Sequence, residues 1–465
     1  MRFHINRYFN NILISGLPGV LSIFLSFFSI PLFLNLIPAD LYANYLIQHS
    51  ILTLGMVLNF NLGKFAAIKI QNLNLNKKKQ IIFTTIMASI VLGAIFSAIT
   101  YLIIKFFFEG KNFFDITFSL FLGIFTTILY ISIDHIVKGL QYFKLSSFFN
   151  FLFYSLSLSL PAFFLIIESL NLKTVNNLFI VSLYVKFFSL FCLVAILILK
   201  NDLKITKLNF ALLSELKNHA KWMTITEFYN QIYNYVDKYL IKISLGSTML
   251  LAYAVPQLIA AKLAIFSQAM TSVLLPKLSA TKNEKQKKNI LSANLYFFSN
   301  LMGFSLIIAL PFFDKILPWW LDNAYNIEIL NIFKIFILIA FLVCLSSIIV
   351  TFYEGTLVAK KNTQYETFII IPFFIGLIYC TYHKSIFLFA FLIMLKEIIM
   401  LFIRLINIRK YIFNYLYFNT GIILFFVTYS FSIMGMNYLS YISSFIFAIL
   451  LCINFPLKII LKEFF

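Results

Sequence analysis

Apolar runs of about twenty residues recur along this chain from Asn11 onward, separated by short polar breaks. That length matches what a helix needs to cross about 30 Å of hydrocarbon. With 61% hydrophobic and 12% charged residues, the sequence lies well outside the range of water-soluble domains. The expected fold class is an all-α integral membrane protein. The run from Ile12 to Ile37 follows Arg2 and Arg7 but is too long for a signal-peptide core and has no small-residue cleavage site, so it reads as the first span.

Apolar runs set against charged breaks place spans at about 11–35, 42–65, 81–104, 114–134, 147–167, 177–199, 222–244, 249–275, 290–312, 329–353, 366–382, 386–404, 417–435 and 438–457. About fourteen transmembrane helices are expected on this reading. Basic residues fall in alternate loops: Arg2 and Arg7, Lys77–Lys79, Lys138 and Lys144, Lys200–Lys221, Lys277–Lys288, Lys360 and Lys361, Arg404–Lys410, then Lys458 and Lys462. The opposite loops hold little beyond Lys105, Lys111, Lys173, Lys315 and Lys384. Because short cytoplasmic loops retain positive charge, both termini are expected in the cytoplasm. The formal net charge of +20 is thus read as topology, and no nucleic-acid partner is expected. The four cysteines, Cys192, Cys344, Cys380 and Cys452, lie far apart inside apolar runs and carry no metal-ligand spacing.

The longest basic break follows the sixth span. The expected organisation is therefore a six-helix lobe over 1–199, a cytoplasmic linker over 200–221, a second six-helix lobe over 222–410, and two further helices over 411–465. Leu36-Ile37-Pro38 with Tyr45 aligns with Ser244-Leu245-Gly246 with Tyr253, in each case at the first turn of a half, and a Lys-rich loop follows each second span.

Two stretches carry a resemblance to a known family. One runs from Ile30-Pro31-Leu32-Phe33-Leu34 through Pro38, Tyr42 and Tyr45 to Asn61-Leu62-Gly63; the other from Asp237-Lys238-Tyr239-Leu240-Ile241 past Gly246 and Ala252-Tyr253 to Leu275-Pro276-Lys277-Leu278-Ser279. In these the chain resembles the bacterial polysaccharide-lipid flippases, the O-antigen or capsule exporters of the MOP superfamily. It departs from them at Ala43, where they often carry Gly, and at Asn59 or Asn61, where they often carry Asp. The resemblance implies two six-helix lobes around a central cavity that opens alternately to either side of the bacterial inner membrane. It also implies a polyprenyl-pyrophosphate-linked oligosaccharide as substrate, coupling to H⁺ or Na⁺ or to the membrane potential, and polysaccharide polymerases as partners beside the membrane lipids. No enzyme activity, cofactor, metal or catalytic residue is expected.

A pyrophosphate and sugar hydroxyls crossing hydrocarbon need a polar, cationic path. An ionisable side chain at the bilayer centre costs about 2.5–3.5 kcal/mol on insertion scales, so those present face a cavity or one another. The seventh span is the most polar: Thr224, Glu227, Asn230, Gln231, Asn234, Asp237 and Lys238 recur at three- and four-residue steps along one stripe. The stripe is read as substrate-binding through Asn230, Gln231, Asn234 and Lys238, with Glu227 or Asp237 as the ion-coupling group; interhelical hydrogen bonding is the alternative. Lys262, mid-span after Pro256 and Gln257, is a candidate phosphate contact. On the second span Asn44, Gln48 and Asn59 share a face that Lys64 ends, making Gln48 and Lys64 candidates for an opposite wall. Lys186, Lys334 and the Lys396-Glu397 pair rank below these, and His49 reads as packing. Pro18, Pro31, Pro161, Pro256 and Pro372 fall inside spans, where they bend helices.

Competing functions are a multidrug or small-cation exporter of the same superfamily, which calls for an acidic cavity, and a membrane glycosyltransferase or polymerase, which calls for a long outer loop. Lys238 and Lys262 oppose the first, and the short outer loops at about 168–176 and 313–328 oppose the second. A phosphate-binding Gly-Lys-Ser/Thr loop is missing, which opposes ATP hydrolysis.

Overall fold

Without water to satisfy the backbone, an apolar chain in a bilayer must close its hydrogen bonds within each segment. The described residues are accordingly helical nearly throughout, with no strand among them. The computed structural model describes residues 2–70, 73–108, 118–167, 174–201, 208, 210–281, 283–322, 326–356 and 359–408. The elements are α1 (Arg2–Leu36), α2 (Ala39–Leu52), α3 (Leu54–Leu58), α4 (Leu62–Ile70), α5 (Leu75–Phe108), α6 (Phe118–Gly139) and α7 (Phe143–Asn150). A π-helical turn (Phe151–Leu156) leads into α8 (Ser157–Phe164). Then follow α9 (Val175–Asn201), α10 (Phe210–Leu245), α11 (Ser247–Ala280), α12 (Glu284–Leu321), α13 (Ile327–Gly355), α14 (Ala359–His383) and α15 (Ile386–Ile408).

Each of the first twelve expected spans falls on one of these helical stretches, while the spans expected at 417–435 and 438–457 lie outside the described residues. Nine helical stretches among the described residues are long and apolar enough to cross a membrane. Of the other three, α2–α4 is interrupted and α10 is too polar, while α12 carries the uncharged apolar run 295–312. The protein is a multi-pass membrane protein.

The chain groups into two compact units: 14–251 with 357–370, and, among the described residues, 2–13 with 252–356 and 371–408. In the first, α6 is the central helix, packed against α4, α5 and α9. Small residues let it approach α4 closely: a Cβ on Gly63 would stand 2.5 Å from the Ser132 carbonyl oxygen, and one on Gly139 would stand 2.7 Å from Ala67 Cα. Backbones in contact without intervening side chains are how membrane helices gain dispersion energy where the hydrophobic effect is weak. In the second unit α13 is apolar on every side and buried over nearly its whole length against α12 and α15.

The second expected span is not one helix. It bends at Thr53 and breaks at Asn59–Asn61, where Phe60 (φ 52°) and Asn61 (φ 51°) occupy the left-handed region and Asn59 Oδ1 accepts the Leu62 N–H at 3.2 Å. Asparagine tolerates that conformation and supplies a local acceptor, so a break that the apolar pattern conceals is favourable here.

Candidate functional site

The fifth span departs from regular helix at its π turn and collects polar contacts from α2, α6 and α9. Pro161 has no N–H, so the Ser157 carbonyl loses its donor four residues on. Ser182 Oγ of α9 takes that place, donating at 2.6 Å. One residue later the Leu158 carbonyl accepts the Tyr45 hydroxyl of α2 at 3.1 Å. The π turn before it shifts the backbone ladder, and the Phe153 carbonyl accepts both Ser157 Oγ at 2.5 Å and Lys186 Nζ of α9 at 3.2 Å.

Lys186 is only 4% exposed. Its ammonium lies 4.1 Å from the centroid of the Phe153 ring and 5.7 Å from that of Tyr154, so two ring faces add to the carbonyl in stabilising its charge. Beside it, Ser182 Oγ lies 2.9 Å from the Tyr45 hydroxyl and 3.3 Å from His49 Nε2, which ties α2, α8 and α9 into one polar seam.

A second network lies where α6 meets α7. Asp134 accepts from Ser146 Oγ at 2.5 Å and Asn150 Nδ2 at 3.0 Å, and it pairs with Lys138 one turn along at 2.6 Å. Asn150 Oδ1 in turn accepts the Tyr130 hydroxyl at 3.1 Å, and the Tyr130 ring stacks on Phe153 at 3.7 Å. Sequence reading missed this network because Lys138 had been used as a topology marker. The visible signal was an Asp134/Lys138 pair four residues apart at the end of an apolar run.

The stripe expected along the seventh span lies on α10, inside the first unit, where that helix packs against α2, α3 and α4. Its members differ in environment. Thr224, Gln231 and Asp237 are buried, Glu227, Asn230 and Lys238 are half-buried, and Asn234 is exposed. Glu227 accepts the Gln231 amide at 2.9 Å, Asp237 accepts the Lys238 backbone N–H at 2.7 Å, and the Lys238 ammonium lies over the Tyr235 ring at 4.8 Å. Lys242 hydrogen-bonds Asn44 of α2, and Tyr235 reaches Thr53 at the α2–α3 bend. Another face of α10 is pinned to the start of α14: Thr226 to Thr363 at 2.9 Å, Thr363 to the Trp222 carbonyl at 2.8 Å, Tyr229 to Thr367 at 3.2 Å and Tyr233 to the Glu366 carbonyl at 3.2 Å.

On the second span Gln48 is buried in α2 and Lys64 is half-buried in α4 beside His135 of α6. The expected common face of Asn44, Gln48 and Asn59 fails beyond Thr53, because the break resets the helical phase and commits Asn59 to a backbone bond. Lys262 is half-buried on α11 and belongs to the other unit, as does Gln257, whose Oε1 is buried without a hydrogen-bond partner among the described residues. In that unit Lys334 pairs with Asp314 at 3.0 Å, Lys396 pairs with Glu397, and Arg404 donates to Ser346, so these charges satisfy one another within the helix packing.

No family model matches the sequence. A Shigella flexneri protein described as "Putative O-antigen transporter" is 24% identical over 148 residues, covering 31% of this chain and 35% of that protein, so the match spans about a third of the relative's length. Among solved structures, an outward-facing multidrug-resistance MATE transporter of the MOP superfamily superposes with a TM-score of 0.65 at 12% identity, over 86% of this chain and 94% of its own. A MOP superfamily transporter from Pyrococcus furiosus, reported with a binding pocket of reversed polarity, gives 0.65 at 12% identity over 86% and 96%. The lipid II flippase MurJ in an inward closed conformation gives 0.62 at 15% identity over 94% and 98%. These neighbours are transporters and a flippase, and the chain shares their fold.

Proposed function

We propose that this protein is a flippase that carries a polyprenyl-pyrophosphate-linked oligosaccharide from the cytoplasmic to the outer leaflet of the bacterial cytoplasmic membrane by alternating access. What carries the reading is that the sequence match is to a protein described as an O-antigen transporter. The likeness to a lipid II flippase over 94% of the chain supports a lipid-linked substrate. Both termini are cytoplasmic on this reading, from the alternation of basic loops. In the first unit Lys238 and Lys64 supply cations for the pyrophosphate and Asn230 and Asn234 supply amides for sugar hydroxyls; Lys262, in the other unit, is a separate candidate for a phosphate contact.

The second reading, a small-cation exporter, is favoured by the likeness to MATE transporters. Complementation separates the two. Expression in a strain lacking its own O-antigen flippase restores surface polysaccharide under the first reading. Failure to restore it, together with extrusion of a lipophilic cationic dye from energised cells, would establish the exporter.

A further inference from the structure

Lys186 is used by neither the substrate reading nor the helix packing in the usual way of a buried cation. Four other basic residues in the spans have acidic or amide partners: Lys334 with Asp314, Lys396 with Glu397, Lys138 with Asp134, Lys242 with Asn44. The Lys186 ammonium, 4% exposed, has three N–H donors and meets one carbonyl and two ring faces, with no carboxylate among the described residues in contact. Burying a charge is costly unless a counter-charge answers it. With no carboxylate to answer the charge, this pocket holds the ammonium less firmly than the acid-paired sites do.

We propose that Lys186 is the proton-binding site of the transport cycle, and that its hydrogen bond to the Phe153 carbonyl couples protonation to the π turn of the fifth span. Two titratable groups, His49 and Tyr154, lie within its reach, and two more, Asp134 and Glu227, lie within reach of Tyr154. On α2, His49 lies within electrostatic reach of Lys186. On α6, Asp134 is already held by Ser146, Asn150 and Lys138. Tyr154 of the π turn lies against the ammonium, and Glu227 of α10, within reach of Tyr154, is occupied by Gln231. The seam of Tyr45, Ser182 and His49 offers hydroxyl and imidazole groups along which a proton travels. In the step itself an N–H bond of the ammonium breaks, nitrogen keeps the electron pair, and the proton passes to water; reprotonation reverses it. The neutral amine is a weaker donor to the Phe153 carbonyl, so the turn is released where Pro161 already leaves α8 short of a backbone bond.

The substrate in this proposal rests on the flippase reading, but the proton chemistry does not, so two measurements separate them. The first needs no substrate. The unfolding temperature of detergent-purified protein is followed from about pH 5 to about pH 9 for the wild type, Lys186→Met and Lys186→Arg. Arginine keeps the charge and the donors but holds its proton throughout this range, and methionine has none to lose. The wild-type profile should diverge from both; three parallel profiles would overturn the proposal. The second is flipping of lipid-linked oligosaccharide in proteoliposomes with the outer-leaflet side more acidic. One proton exchanged per lipid shifts the final leaflet distribution about tenfold per pH unit. That shift should vanish in Lys186→Arg and Lys186→Met. A shift retained in Lys186→Arg overturns the proton site and leaves the flippase standing. Absence of flipping by wild type, with divergent unfolding profiles, overturns the substrate and leaves the proton site.

Discussion

At the scale of single residues, charge sign and local space make different predictions. If Lys262 meets an anionic headgroup, Lys262→Arg retains surface polysaccharide in the complementation assay and Lys262→Glu abolishes it, since the sign of the charge matters more than the shape of the donor. Western blots of membrane fractions check that both variants accumulate; full polysaccharide with Lys262→Glu would exclude the contact. Gly63 tests packing instead. A Cβ there would stand 2.5 Å from backbone of α6, which cannot retreat as a side-chain tip would. Gly63→Leu should cost at least about 1–3 kcal/mol, read as a lower unfolding temperature in detergent, whereas Ala94, exposed on α5, should accept leucine with little change.

At the scale of elements, α10 combines roles that the sequence merged into one stripe. Its Trp222, Thr226, Tyr229 and Tyr233 seam binds α14, and Lys242 and Tyr235 bind α2 and its bend with α3. Only the remaining arc can line a path. Cysteine scanning on a background lacking the four native cysteines should give labelling by a membrane-impermeant thiol reagent at Glu227→Cys, Asn230→Cys and Asn234→Cys. Protection is expected when lipid-linked substrate accumulates. Gln231→Cys should stay silent because Gln231 is 5% exposed, and Phe228→Cys should stay silent because that position is an apolar surface fit for lipid. Silence at all three polar positions would mean that the stripe is a packed seam and its carboxylates are structural.

At the scale of the whole molecule, the topology prediction is independent of any site. Reporter fusions after Lys361 and Lys410 should both read cytoplasmic, and opposite readings would remove the phase of the basic loops and the proposed direction of transport with it. The sequence by itself determined the all-helical membrane class and the position of the first twelve helical stretches. Both follow from one-dimensional quantities: the length of an apolar run against the thickness of hydrocarbon, and charges that stay in water. It also marked Pro161 and the polarity of α10, since residue chemistry is visible without contacts. Only the tertiary structure decided that the second span breaks at Asn59–Asn61, that Asp134 joins Ser146 and Asn150, and that Lys186 meets a carbonyl freed by a π turn. Each depends on which side chain from a distant helix reaches an unpaired backbone or buried charge. Hydropathy cannot encode that, because it assigns Lys186, without a carboxylate, the same penalty as Lys334, paired with Asp314.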